Sequence, residues 1–151
     1  RAVVPADDGV RTDQPLALGR GVVVRRSTGN RSARVALLAF GPLLHAAMEA
    51  AEALDASVAN MRFVKPLDEA LLLDLAATHE VLVTLEEASV IGGAGAACAE
   101  RIAMEGLPVR LLRLGLPDVF IGHGDRGELL ALQGLDAAGI VGAIRAFVER
   151  H

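Results

Sequence analysis

The chain has 151 residues, 52% of them hydrophobic, so it can bury one substantial core and has little material for a second. It carries 15 Lys and Arg against 19 Asp and Glu, and its net charge of -4 offers no basic surface for nucleic acid or an anionic membrane. We therefore expect one domain with neither partner, and the absence of Trp and Tyr removes the main stacking platforms for single-stranded nucleic acid.

The cysteine content and the N-terminus indicate a cytoplasmic piece of a longer polypeptide. Cys98 is the single cysteine and cannot form an internal disulfide, and we identify neither a secretory signal nor an apolar run of membrane-spanning length. A reducing cytoplasm is the expected compartment. The chain begins with Arg1 rather than Met, as expected of a polypeptide cut from a longer one or trimmed after synthesis.

The first predicted elements are an arm and a short strand. Residues 1–20 mix Pro, Gly and Asp without a sustained period, which predicts a linker or arm from a preceding domain, with the folded domain at 21–151. The run GVVVRR is a short β-rich segment, and STGN supplies turn residues before RVALLAF. This pattern predicts either an antiparallel hairpin or a short edge strand.

Four units of a strand and a helix follow. RVALLAF is apolar on both faces, as a strand covered on both sides must be, and GPLLHAAMEAAEALD carries apolar residues at helical spacing. The pair recurs as SVANMRFV with LDEALLLDLAATH, as VLVTLEE with GAGAACAERIAMEG, and, across a longer loop, as VRLLRLGL with DAAGIVGAIRAFVER. Right-handed crossovers place helices on both faces. We predict an α/β three-layer sandwich whose five-stranded sheet is mostly parallel, with one antiparallel edge strand.

One loop at the carboxyl ends of these strands, EEASVIGGAG, raises the question of a phosphate site. Its glycines would let the N–H groups of a helix N-terminus approach an anion. An exposed helix N-terminus contributes about 0.3–1 kcal/mol to anion binding, whereas a carboxylate at ~4 Å costs roughly 4 kcal/mol at an effective dielectric constant of ~20. Because Glu86 and Glu87 precede the glycines and the loop has no Lys or Arg, we predict a tight structural turn.

A second loop, LPDVFIGHGDRGE, contains Asp118, His123, Asp125 and Glu128 and is predicted at the same edge of the sheet, beside Glu86 and Glu87. Carboxylates and an imidazole suit a hard metal or acid–base chemistry. Their spacing matches no metal-binding motif, so we favour a hydrogen-bonded structural loop.

The remaining chemically active side chains are interpreted as structural. His45 and His79 fall on predicted helices as surface or capping residues, and Cys98 falls at helical spacing as a packed thiol. Gly106 follows the helical run ERIAME as its predicted C-cap.

Three stretches carry a family resemblance: MRFVKPLDEALLLDLAATHE, VLVTLEEASVIGGAGAA and LRLGLPDVFIGHGDRGELLALQGLDAAGI. Together they resemble the C-terminal domain of 1-deoxy-D-xylulose-5-phosphate synthase, a thiamine-diphosphate enzyme of the transketolase superfamily, from about Gly19 to the C-terminus. The first two have looser counterparts in the superfamily, including the β subunits of 2-oxo acid dehydrogenases, whereas LGLPD.FI.HGD followed by GLDAAGI is specific to the synthase. EEASV departs from the family, which often has Asn after the paired glutamates, only in local loop detail.

The resemblance implies a three-domain enzyme that condenses pyruvate with D-glyceraldehyde 3-phosphate. It releases carbon dioxide and forms 1-deoxy-D-xylulose 5-phosphate for isoprenoid, thiamine and pyridoxal synthesis. Its cofactors would be thiamine diphosphate and magnesium, which the family holds through a Gly-Asp-Gly motif and a downstream Asn in the N-terminal domain, while the activating glutamate belongs to the middle domain. This domain would instead pack against the preceding domains and contribute to a homodimer.

None of these cofactor motifs is found in the chain, so we predict that it is inactive alone and binds neither cofactor. We assign no catalytic, cofactor-binding or metal-binding residue. The positions kept as structural loop candidates at the carboxyl edge are Glu86, Glu87, Gly92, Gly93, Gly95, Asp118, His123 and Asp125.

Two other functions stay open at this point. The first is the corresponding domain of a 2-oxo acid dehydrogenase β subunit, which docks onto an acyltransferase core, although the GLPD.FI.HGD stretch argues against it. The second is a free-standing small-molecule binder or enzyme, which a start codon immediately upstream of Arg1 would favour.

Overall fold

The computed structural model describes residues 15–29 and 34–150, in which helices cover both faces of a five-stranded sheet. The strands are β1 (Val22–Arg25), β2 (Val35–Phe40), β3 (Ser57–Asn60), β4 (Val81–Ser89) and β5 (Arg110–Leu116). The helices are α1 (Leu44–Leu54), preceded by a 3-10 turn at Gly41–Leu43, α2 (Glu69–Thr78), α3 (Ala94–Glu105), α4 (Arg126–Leu132) and α5 (Ala137–Glu149). Most of the predicted arm at 1–20 lies outside the described residues.

The strand order is β1-β3-β2-β4-β5, with β1 antiparallel to β3 and every other neighbouring pair parallel. This arrangement confirms the predicted sandwich with one antiparallel edge strand. The hairpin alternative was wrong, because β1 pairs with β3 and not with β2. Both edges of β2 are already taken: Leu37 lies opposite Val58 of β3 on one side and Val83 of β4 on the other.

The central strand β2 is buried on both faces because its side chains alternate between two helical layers. Leu37 and Ala39 pack in a cluster with residues of α1 and α5. Leu38 and Phe40 pack in the opposite cluster with residues of α2 and α3. All six residues of β2 are at most 6% exposed, which confirms the interpretation of RVALLAF as a strand covered on both sides.

Two elements differ from their predicted extents. The strand predicted over SVANMRFV ends at Asn60, and Arg62, with φ of 61°, has left the extended conformation. The segment predicted as one long loop before the last helix contains α4 (Arg126–Leu132), whose seven residues are too few to show a helical period in the sequence. The predicted C-cap is present, since Gly106 is left-handed with φ of 64° and its N–H donates to the carbonyls of Ala103 and Ile102.

By length and composition, Arg126–Glu149 is apolar enough to cross a membrane, with 24 residues and a mean hydropathy of 1.4. This run was not predicted from the sequence. In the structure it consists of α4 and α5, separated by a turn in which Gly134 has φ of 68°. Leu135, Ile140 and Ile144 are buried in the cluster under α1 and α5, so part of this hydropathy belongs to the core.

The Cys98 thiol is fully buried in α3, as a packed side chain should be. Burial, with a smaller contribution from the charge of Glu86, raises the pKa of this thiol from 9.0 to about 12. We expect a thiol reagent at pH ~8 to label the native chain about 1000-fold more slowly than the urea-unfolded chain, because the thiolate is the reactive form. The check is the rate of labelling in each state. Equal rates would contradict the burial of Cys98.

His79 ends α2 and lies against the start of β3. Its Nδ1 is 3.1 Å from the carbonyl oxygen of Leu75, and its Nε2 is 3.0 Å from Oγ of Ser57. Burial is the largest cause that lowers the pKa of His79 from 6.5. Among the smaller causes, the hydrogen bond to the Leu75 carbonyl raises this pKa and the charge of Arg34 lowers it further. The folded state therefore favours the neutral imidazole.

Since the unfolded chain takes up this proton more readily, the contribution of His79 to stability is complete above pH ~6.5 and is lost as pH falls through the folded pKa. The measurement is urea unfolding of wild type and His79→Gln from about pH 7.5 to about pH 5. We expect wild type to lose stability on acidification relative to the variant. A wild type that gains stability relative to the variant would show the opposite shift.

Candidate functional site

The turn from β4 into α3 is built around one buried carboxylate. Glu86 is 3% exposed, and its Oε2 and Oε1 accept hydrogen bonds from the N–H groups of Ala94 at 2.7 Å and Gly95 at 2.8 Å. These N–H groups lie in the first turn of α3, where backbone donors lack partners within the helix and the helix dipole is positive. Glu86 therefore occupies the position at which this helix would bind an external anion.

Two of the loop glycines permit this close approach. A Cβ on Gly93 would lie 2.1 Å from Oε2 of Glu86 and 2.4 Å from the carbonyl oxygen of Ser89. A Cβ on Gly95 would lie 2.4 Å from Oγ1 of Thr84 and 3.2 Å from Oε1 of Glu86. Neither glycine has a positive φ, so the requirement at both is space.

Gly92, in the same turn, has a left-handed backbone conformation. Its φ is 72°, and a Cβ there would meet nothing within 4 Å. The requirement at Gly92 is therefore conformational and differs from that at its two neighbours.

Glu87 faces a different partner from Glu86. Its carboxylate accepts two hydrogen bonds from the Arg126 guanidinium: Nε donates to Oε1 at 2.8 Å, and a terminal nitrogen donates to Oε2. These hydrogen bonds raise the pKa of Arg126 above its usual value. The pair is partly exposed, so it contributes about 0–1 kcal/mol to stability. Its consequence is positional, because it joins the end of β4 to the start of α4.

The polar residues predicted as a second cluster follow β5. Asp125 caps α4, since its Oδ1 accepts from the N–H groups of Gly127 at 2.8 Å and Glu128 at 3.2 Å. Asp118 and His123 are exposed in the loop that leads to it. Within residues 15–29 and 34–150, no group of three or more His, Cys, Asp or Glu side chains is placed to hold a metal ion.

The groups that end β4 and begin α3 and α4 do not fit thiamine diphosphate with magnesium. A diphosphate needs free cationic groups, free N–H donors or a metal held by several oxygen ligands. Here the N–H groups that begin α3 donate to Glu86, and the Arg126 guanidinium donates to Glu87. The carboxylate of Asp125 is used by α4.

An apolar cavity of about 330 Å³ lies at the same edge and was not predicted from the sequence. It is lined by Ser89 and by residues 116–121. Phe120 is 107% exposed and Val119 is 67% exposed, and Ile91 in the loop after β4 is 66% exposed. The sequence feature that could have predicted this exposed apolar surface is the run VFI inside a loop that is mostly polar.

Comparison with known proteins identifies relatives over most of the described fold. The sequence model of the family "Transketolase, C-terminal domain" matches residues 24–140. The 1-deoxy-D-xylulose-5-phosphate synthase of Bordetella avium is 61% identical over 130 residues, which cover 86% of this chain and 20% of that protein. The synthase of Pseudomonas aeruginosa is 56% identical over 138 residues, which cover 91% of this chain and 21% of that protein. The chain thus spans about a fifth of the length of these curated relatives.

Solved structures show the same fold. A split-gene transketolase, described as an inactive β4 tetramer, aligns with a TM-score of 0.79 and 34% identity over 91% of this chain and 45% of that one. The transketolase of Campylobacter jejuni aligns with a TM-score of 0.59 and 17% identity over 85% of this chain and 18% of that one. The second likeness is one of fold alone.

The glycine turn can be tested with a matched pair of alanine substitutions. Gly93→Ala places a Cβ 2.1 Å from Oε2 of Glu86, so we expect it to lower the free energy of unfolding by at least about 2 kcal/mol through overpacking and lost hydrogen bonds. The control is Gly122→Ala, where a Cβ meets nothing within 4 Å and φ is not positive. We expect the control to leave stability unchanged or slightly raised. The measurement is urea unfolding, and equal stability of the two variants would contradict the turn described here.

Proposed function

The chain belongs to the transketolase C-terminal domain family, and we propose that it is the C-terminal domain of a 1-deoxy-D-xylulose-5-phosphate synthase. The observation that carries this proposal is the 61% identity to the Bordetella avium synthase over 86% of the chain. Because the chain spans about a fifth of that relative, the proposal concerns a complete enzyme of which this chain is one domain.

The proposed complete enzyme is a thiamine-diphosphate-dependent transferase. It joins pyruvate to D-glyceraldehyde 3-phosphate, and it forms 1-deoxy-D-xylulose 5-phosphate and carbon dioxide for isoprenoid and thiamine biosynthesis. We further propose that it uses magnesium, acts as a homodimer and is cytoplasmic. The domain boundary is proposed near residue 20, with residues 1–20 linking this domain to the preceding one.

Within that enzyme we assign this domain a structural role in domain packing and dimerisation. Three carboxylates at the carboxyl edge support this role because they are used internally. Glu86 holds the start of α3, Glu87 joins β4 to Arg126, and Asp125 caps α4. Cofactor binding and the chemical steps are therefore assigned to the other domains.

The alternative functions have less support. The curated relatives described above are synthases at 56–61% identity, and no observation on this chain favours the acyltransferase-docking domain of a 2-oxo acid dehydrogenase β subunit. A free-standing binder or enzyme gains no support from Glu86, Glu87 or Asp125, since their hydrogen bonds are internal.

The proposal predicts a difference between this chain and the complete polypeptide. We expect isothermal titration of the purified chain with thiamine diphosphate and magnesium to show no binding at micromolar concentration, because the donors that a diphosphate needs are occupied by Glu86 and Glu87. We expect the chain alone to form no deoxyxylulose phosphate. The complete polypeptide is the positive control and should bind the cofactor and form product.

Two results would contradict parts of this proposal. Micromolar binding or turnover by the chain alone would overturn the assignment of the chemistry to other domains. A complete polypeptide that folds and binds thiamine diphosphate but makes no deoxyxylulose phosphate would overturn the proposed reaction.

A further inference from the structure

The large hydrophobic side chains that are exposed concentrate at one edge of the sheet. Among the described residues these are Leu16, Leu18, Val64, Ile91, Met104, Val119, Phe120 and Leu132. Val64, Ile91, Val119 and Phe120 follow the carboxyl ends of β3, β4 and β5, whereas Met104 and Leu132 lie on α3 and α4. Leu16 and Leu18 precede β1, whose start lies at the same edge because β1 is antiparallel to β3. Exposed apolar surface of this kind, rimmed by polar residues, is typical of a protein interaction site.

The apolar residues after β4 and β5 form the most exposed part of this edge. Phe120 is 107% exposed, more than any other large hydrophobic residue in the described part of the chain, and Val119 is 67% exposed. They border the cavity of about 330 Å³ lined by Ser89 and residues 116–121. A protruding aromatic side chain beside an apolar depression is the kind of anchor that carries binding energy in protein interfaces.

The segment that enters the domain runs along the same edge and is fixed there. Asp68, 5% exposed, accepts a hydrogen bond from the N–H of Gly21 at 2.9 Å, and it lies 3.7 Å from the Arg20 guanidinium. A Cβ on Gly19 would lie 2.8 Å from Cγ of Pro66, so this segment also packs closely on the loop after β3. Whatever precedes residue 15 is therefore connected to the domain at its carboxyl edge.

We propose that the carboxyl edge is the docking surface for the preceding domain of the same polypeptide, with Phe120 and Val119 packed into an apolar patch of that domain. This inference rests on the proposed function, in which most of the enzyme lies outside this chain, as it does in the Bordetella avium relative that the chain covers to 20%. The exposed Asp118 and His123 form a polar rim beside the two apolar side chains. The partner surface is thus an apolar patch bordered by hydrogen-bonding groups.

The test uses the complete polypeptide with a matched pair of charge substitutions. Phe120→Asp places a carboxylate at the proposed interface, and Met104→Asp does the same on α3, where Met104 is 81% exposed. We expect limited proteolysis to release the C-terminal domain about tenfold faster in Phe120→Asp than in wild type, because a charge in a desolvated interface weakens docking. Met104→Asp should stay within about twofold of wild type, since exposed substitutions away from interfaces change little.

The same substitutions in the 151-residue chain separate docking from folding. Because both side chains are exposed, we expect both variants of the isolated chain to unfold at the wild-type temperature. If complete Phe120→Asp is insoluble, Phe120→Ser with Met104→Ser as its control gives the same comparison.

Two outcomes would overturn the proposal. Equal release rates for the two variants would show that Phe120 is not at a domain interface. A loss of dimer in sedimentation by Phe120→Asp with unchanged release would assign the surface to a second copy of the enzyme. The product assay on the wild-type enzyme is separate from both, so a failure of the proposed reaction would be recognised independently of the docking result.

Discussion

The fold depends on the accommodation of a carboxylate inside the sandwich. Glu86 is buried at the end of β4, and burying a charge without partners costs several kcal/mol. The two N–H groups that begin α3 supply charge-assisted hydrogen bonds, which contribute roughly 1.5–3 kcal/mol each. The neighbouring chain must leave room for this arrangement: a Cβ on Gly115 of β5 would lie 3.1 Å from Cγ of Glu86, and one on Gly93 would collide with its Oε2. One side chain thus constrains β4, α3 and β5 together.

This arrangement also determines what the carboxyl edge can do. In open α/β sheets this edge and its helix N-termini are the usual places for ligands. Here the N–H groups that begin α3 donate to Glu86, and the Arg126 guanidinium donates to Glu87. The donors that would recognise a phosphate are therefore used in hydrogen bonds within the domain. The same edge keeps its apolar side chains exposed. This edge is therefore suited to contacts that bury apolar side chains.

The sequence predicted the parts of the fold that depend on local periodicity and left out those that depend on distant pairing. Strand β2 was evident because both its faces are apolar, and α1 because its apolar residues recur at helical spacing. The partner of β1 was not, since the turn residues STGN suit a hairpin with β2 as well as a crossover. At the site, the glutamates and glycines were recognisable, but Glu87 and Arg126 are 39 positions apart and only the folded chain brings them together.

The comparisons separate the architecture from any particular reaction. The fold persists in a transketolase of 17% identity with a TM-score of 0.59, so the sandwich alone carries no information about a reaction. In the loops at the carboxyl edge, Glu87 and Asp125 are paired within the domain, while Val119 and Phe120 are exposed. Under the proposed function, we expect substitutions in these loops to act through domain assembly, because the most exposed side chains there are apolar and the carboxylates of Glu86, Glu87 and Asp125 are already bonded.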